Sequence, residues 1–179
     1  MIKTFVSFLL MLPLIGGITL NSPLKSYTGW KAGTASMIIT PDESLWLAGY
    51  GGRDHASEGT ISDLWIKALA LEDAGGNQSV LVTMDLEEIP KSFSDRIKER
   101  LNKQFNLSKA QVILNISHTH SSPVLEGFGD IYPFDSVQGA KIKNYTDRLY
   151  KKIIDLVENA LHSMKPVRVY SGNGIARFQ

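Results

Sequence analysis

Cysteine is absent from this chain. Its absence excludes disulfides, a thiolate metal site, a cysteine nucleophile and a lipid-modified N-terminal cysteine. Histidine is scarce, with 4 residues in 179. Neither sign of charge is in excess: the net charge is +1, so no polyanion is implied and no nucleic acid is expected as a partner. No internal repeat or low-complexity segment is visible. No phosphate-binding fingerprint is present either, because the glycine-rich stretch 49–59 lacks the Lys-Ser/Thr of a P-loop and opens no helix.

What is there reads as globular. Hydrophobic residues make up 43% and aromatics 9%, which excludes a disordered chain, and the length suffices for one ordinary core. Lys3 is followed by no charge until Lys25, with an apolar centre at 5–12. Residues 1–22 are therefore read as a secretory signal peptide, which Pro13, Gly16 and Gly17 spoil as a spanning helix. An uncleaved membrane anchor is the alternative, since the uncharged stretch is nearly long enough to span. The expected destination is secreted or periplasmic. Residues 23–29 are expected to be a linker and 30–179 the folded part.

Periodicity then orders the elements. Strands are expected at 30–39, 63–72, 79–84, 111–116 and 167–170. In 63–72, Leu64, Ile66, Ala68 and Ala70 lie on one face and Trp65, Leu69 and Leu71 on the other, so burial on both sides is expected. Residues 73–78 form a hairpin-type turn to an antiparallel neighbour. Phe93, Ile97 and Leu101 mark a helix over 90–105, and the stripe from Ile142 to Leu161 marks a second. The fold class is α/β: a mixed sheet with βαβ crossovers, the site at the C-terminal edge of the parallel strands, and an incomplete domain. On that edge Asp85, ending one strand, should meet His118, just beyond another. The loop carrying Tyr50, Arg53 and His55 is delivered to the same place. Residues 121–141 are expected to form a long loop over it, and such loops are usually functional.

The chemistry is concentrated in Asn115-Ile116-Ser117-His118-Thr119-His120-Ser121-Ser122-Pro123. It follows Val112-Ile113-Leu114, read as a buried strand. In an extended chain residues two apart point to one side, so His118 and His120 are expected to present two imidazoles together. They are either a metal-ligand pair or two hydrogen-bonded loop histidines. A catalytic zinc wants three protein ligands and an open position; Asp85, His55 and Glu126 are candidates for the third, and the spacing selects none. Asp85 is read as a group orienting a histidine. Arg53 is either a clamp for an anionic or amide oxygen or a solvated turn residue. Glu87 and Glu88 are read as solvated, and His55 and His162 as surface residues. Asn115 opens one of four Asn-x-Ser/Thr sequons.

Ile116-Ser117-His118-Thr119-His120-Ser121-Ser122-Pro123 resembles the His-Thr-His-Ser-Gly-Pro signature of the neutral/alkaline, non-lysosomal ceramidases. Other landmarks fall in the same order. Residues 32–41 look like the opening strand of that family, Gly49-Tyr50 like its Gly-Tyr segment, 59–69 like the approach to its Arg-Ala strand, and Thr83-Met84-Asp85-Leu86 like its Thr-Asp-Leu strand end. The resemblance covers roughly residue 30 to the end. It implies the N-terminal part of a zinc-dependent amidohydrolase that cleaves the N-acyl bond of ceramide. By that resemblance His118 is a zinc ligand, and His120 hydrogen-bonds the substrate or the developing oxyanion. Tyr50, Arg53 and Asp85 would support the substrate or the ligands. The partners implied are an amphiphilic lipid, a membrane surface, and a later part of the same chain bearing a histidine, a glutamate and a tyrosine as further zinc ligands. The chain departs from the pattern at Ser122, in place of the signature glycine, at Val124 and Leu125, and at Glu87 and Glu88. These changes are expected in the pocket wall. They suggest an alternative: a non-catalytic relative that binds lipid or glycan.

Overall fold

The computed structural model describes residues 25–128 and 131–175. The signal-peptide expectation for 1–22 lies outside them. The chain divides into residues 27–169 and a second unit made of both termini; the account below concerns the first.

Five strands form one sheet in the order β4-β3-β2-β1-β5. They are β1 (Lys25–Ile38), β2 (Trp65–Glu72), β3 (Gln78–Met84), β4 (Val112–Ile116) and β5 (Lys165–Ser171), joined with helices α1 (Lys91–Phe105) and α2 (Ser136–His162). β1 begins at Lys25, so part of the stretch expected as linker is strand. β1 and β2 pair antiparallel, as do β2 and β3. β3 and β4 are parallel, with α1 as their crossover. The fold is thus a mixed α/β sheet.

The β2–β3 turn closes as its sequence requires. The Asp73 carboxylate accepts the backbone N–H groups of Gly75 and Asn77 at 2.8 and 2.9 Å, and Gly76 takes φ +82°, a conformation glycine adopts without steric cost. Helix α1 ends at Asn106 in the left-handed region, φ 56°, where a short polar side chain is tolerated. Helix α2 starts at Ser136, inside the loop expected over 121–141. Asp135 is its N-cap and accepts the Gln138 N–H at 2.8 Å, so one side-chain oxygen sets the start.

Both helices cover one face of the sheet. Ile66, Ala68 and Ala70 of β2 and Val80, Val82 and Met84 of β3 are buried beneath Phe93, Ile97 and Leu101 of α1 and Leu149, Ile153 and Leu156 of α2. The other face corrects the expectation of two-sided burial. Trp65, Leu69 and Leu71 are only half-buried and Lys67 is exposed, because no element among the described residues packs there. β4 is likewise not a buried strand. It lies at the sheet edge, which leaves Ile113 58% exposed and Asn115 exposed. β5, which contains Pro166, holds the other edge, the place in a sheet where proline is tolerated.

The two faces should answer differently to truncation. Leu149→Ala, at a side chain 1% exposed, should lower unfolding free energy by about 2–5 kcal/mol. Leu81→Ala, on the uncovered face, should cost at most about 1 kcal/mol. Urea unfolding compares them, and equal losses would contradict the one-sided core.

Candidate metal and active site

β3 and β4 stay in register to Met84 opposite Ile116, and the two chains leave the sheet side by side. The Ser117 N–H donates to the Met84 carbonyl at 3.0 Å, continuing the pairing. Beyond it the extended chain that the sequence suggested ends. His118 has φ +56°, in the left-handed region that histidine tolerates better than bulky or branched residues. The imidazoles therefore meet across a turn rather than along a strand face. Their ring centroids are 5.1 Å apart and the planes 73° inclined.

Glu87 is the residue the sequence reading missed. It is buried rather than solvated, its side chain only 11% exposed. The turn after His120 folds back onto it: fully buried Ser122 accepts the Glu87 N–H on its hydroxyl at 2.9 Å. The Glu87 carbonyl accepts a hydrogen bond from His118 Nδ1 at 2.8 Å. A carbonyl only accepts, so Nδ1 carries the proton and a neutral ring keeps its lone pair on Nε2. Glu87 Oε1 lies 4.0 Å from His118 Nδ1 and 3.9 Å from His120 Nε2. The only hint in the sequence was Leu86, an apolar residue carrying burial beyond the end of the strand.

One donor atom from each of Glu87, His118 and His120 lies within 4.8 Å of the other two. Glu87 Oε2 is buried with no hydrogen-bond partner among the described residues. Leaving such an oxygen unsatisfied costs about 1–3 kcal/mol, more when it is charged. A cation beside it relieves that cost. Two imidazoles and a carboxylate are a donor set that zinc accepts, so the three residues could hold a metal ion. Next to them, burial first and then the charge of Glu87 push the Glu88 carboxyl above its usual range, with His118 opposing.

The glycine-rich loop reaches the same turn. Gly49 has φ +73°, and a Cβ there would lie 2.4 Å from His120 Cγ. Tyr50 stands edge-on to the His120 ring at 4.6 Å. Arg53 lies 5.4 Å from the centre of the Tyr50 ring and donates to the carbonyls of Gly49 and His120, so its guanidinium braces the turn. The other candidates sit elsewhere. The Asp85 carboxylate accepts the Trp65 N–H at 2.9 Å, tying the start of β2 to the end of β3. His55 pairs with Asp54 at 2.5 Å on the surface, and Glu126 lies 3.7 Å from Lys143. Neither His55 nor Glu126 nor Asp85 joins the Glu87–His118–His120 group.

Val124 and Leu125 are core rather than pocket wall, 1% and 2% exposed. Val124 packs with Trp46, Ala48 and Ile142. It is held there because Ala48 and Val124 donate to the carbonyls of Ser122 and Trp46 at 2.8 and 2.9 Å. Thr119, Ser121 and Pro123 line a cavity of about 570 Å³ with Thr40, Leu47 and Gly59.

Two solved structures share this arrangement of elements. A neutral ceramidase from Pseudomonas aeruginosa superposes with a TM-score of 0.62 at 21% identity, over 78% of this chain and 22% of that one. A ceramidase complexed with C2 gives 0.61 at 22% identity, with the same coverage. The fold is similar to part of a neutral ceramidase. The chain spans 22% of the length of these structures. No protein-family model matches it, and no curated protein does.

Gly49 is the position where the loop tolerates least. Gly49→Ala should displace the His120 ring and destabilise the fold by about 1–3 kcal/mol through overpacking and strain. The imidazole resonances of His120 should shift. Unmoved resonances with unchanged stability would refute the close approach.

Proposed function

We propose that this chain is part of a zinc-dependent hydrolase that cleaves the N-acyl amide bond of a ceramide-like lipid. The observation that carries the reading is the convergence of His118, His120 and an unpartnered buried carboxylate at one sheet edge. The likeness of the fold to a neutral ceramidase supports it, as does the His-Thr-His-Ser signature.

In this reading His118, through Nε2, and Glu87, through its carboxylate, hold the ion. The further ligands come from a later part of the chain. Bound zinc supplies a water of lowered pKa and polarises the amide carbonyl. The His118 ring is aimed by its own Nδ1–H bond to the Glu87 carbonyl, the usual way a protein fixes a ligand imidazole. His120, only 33% exposed, is held between the Tyr50 ring and the bracing Arg53. It faces the substrate and donates to the oxygen on which negative charge develops. An amphiphilic substrate resides in a membrane surface, and the loop feeding the site exposes Tyr50 and Ile61 where such a surface would be met. Export through the N-terminal segment belongs to the same proposal.

Zinc analysis and N-acyl-sphingosine turnover test the two histidines separately. His118→Ala should abolish stoichiometric zinc. His120→Ala should retain zinc while turnover by the protein falls at least ~100-fold. Zinc content indifferent to His118→Ala would end the ligand assignment. Full zinc with no turnover of any N-acyl amide would favour a binding protein over a hydrolase.

A further inference from the structure

Three segments meet at one serine. Ser122 is fully buried. Its Oγ accepts the Glu87 N–H at 2.9 Å and faces the Thr119 carbonyl at 3.5 Å. Its own carbonyl accepts the Ala48 N–H at 2.8 Å. The hydroxyl thus joins the Glu87 segment to the histidine turn, and the peptide of the same residue joins that turn to the loop preceding Gly49.

The consequence falls on Glu87. Its peptide is gripped at both ends, the N–H by Ser122 and the carbonyl by His118 Nδ1. Its carboxylate, by contrast, is held by no hydrogen bond at Oε2. The carboxylate therefore stays beside the imidazoles because the backbone is fixed. A side chain with a free choice would turn such an oxygen toward water. Resting on the metal reading of this site, we propose that Ser122 is a positioning residue for the Glu87 carboxylate. Metal affinity then depends on a hydroxyl that does not touch the ion. Removing it releases the Glu87 N–H and lets the Glu87 segment part from the histidine turn.

Threonine and valine at this position have nearly the same shape and differ in the hydroxyl, so they separate hydrogen bonding from packing. The full chain and its Ser122→Thr, Ser122→Val, Glu87→Gln and Ser122→Val/Glu87→Gln variants are titrated with cobalt(II), read by visible absorption and by calorimetry. Ser122→Thr should bind within about threefold of the unaltered chain. Ser122→Val should bind roughly 10–100-fold more weakly, the range seen when a group supporting a ligand is lost. Adding Ser122→Val to Glu87→Gln should weaken binding little further, because both act through one carboxylate. Equal affinities for the valine and threonine variants would overturn the proposal, and so would losses that add in the double variant. If the unaltered chain takes up no cobalt at all, the metal reading falls, and this proposal with it. If it binds cobalt and the two variants match, only the role of Ser122 falls.

Discussion

The parallel pairing of β3 with β4 is the constraint on which the candidate site depends. Its register ends at Met84 opposite Ile116, and the two chains leave the sheet at one end, a strand spacing apart. That is why Glu87 and His118 are neighbours although 31 residues separate them. The antiparallel pairing of β2 with β3 adds the loop bearing Tyr50 and Arg53. Ligand sites in open α/β sheets lie outside the carboxyl ends of parallel strands for this reason.

Much of this was legible along the chain, because the signals are local. Alternation in β2 and β3, the fourfold spacing of Phe93, Ile97 and Leu101, and the glycine turn at 75–76 all name their element within a few residues. The gathering of Tyr50, Arg53 and the histidines at one edge followed from the order of strands alone. What stayed hidden depends on distant partners. Glu87 looks solvated in a Glu-Glu pair, yet it is buried, with its N–H bonded to Ser122, 35 residues on. Asp85 reads as a group orienting a histidine, yet its carboxylate accepts the backbone N–H of Trp65 on the neighbouring strand. Val124 and Leu125 look like pocket wall until the Leu47–Pro123 bridge draws them into apolar clusters.

Two positions where the chain departs from the pattern it resembles, Ser122 in the signature and Glu87 after the Asp85 strand end, touch each other. Read one at a time they are unrelated departures, a serine in place of a glycine and a carboxylate in place of a small or apolar side chain. In space they are linked, since the Ser122 hydroxyl accepts the N–H of the buried acid. The uncovered sheet face shows the same one-sidedness at larger scale. The helices satisfy one side of β2 and β3, while Trp65, Leu69 and Leu71 keep apolar surface half open on the other.

The left-handed backbone at His118 makes the shape of the turn and its chemistry separable. Histidine shares that conformation with asparagine and glycine, which enter it at least as readily. A replacement there by either residue would leave the backbone of the turn as comfortable as before and remove the imidazole with its hydrogen bond to the Glu87 carbonyl. Drift at this position can therefore remove the candidate ligand at no cost in backbone strain. A descendant of this chain could lose that imidazole while keeping the course of its backbone.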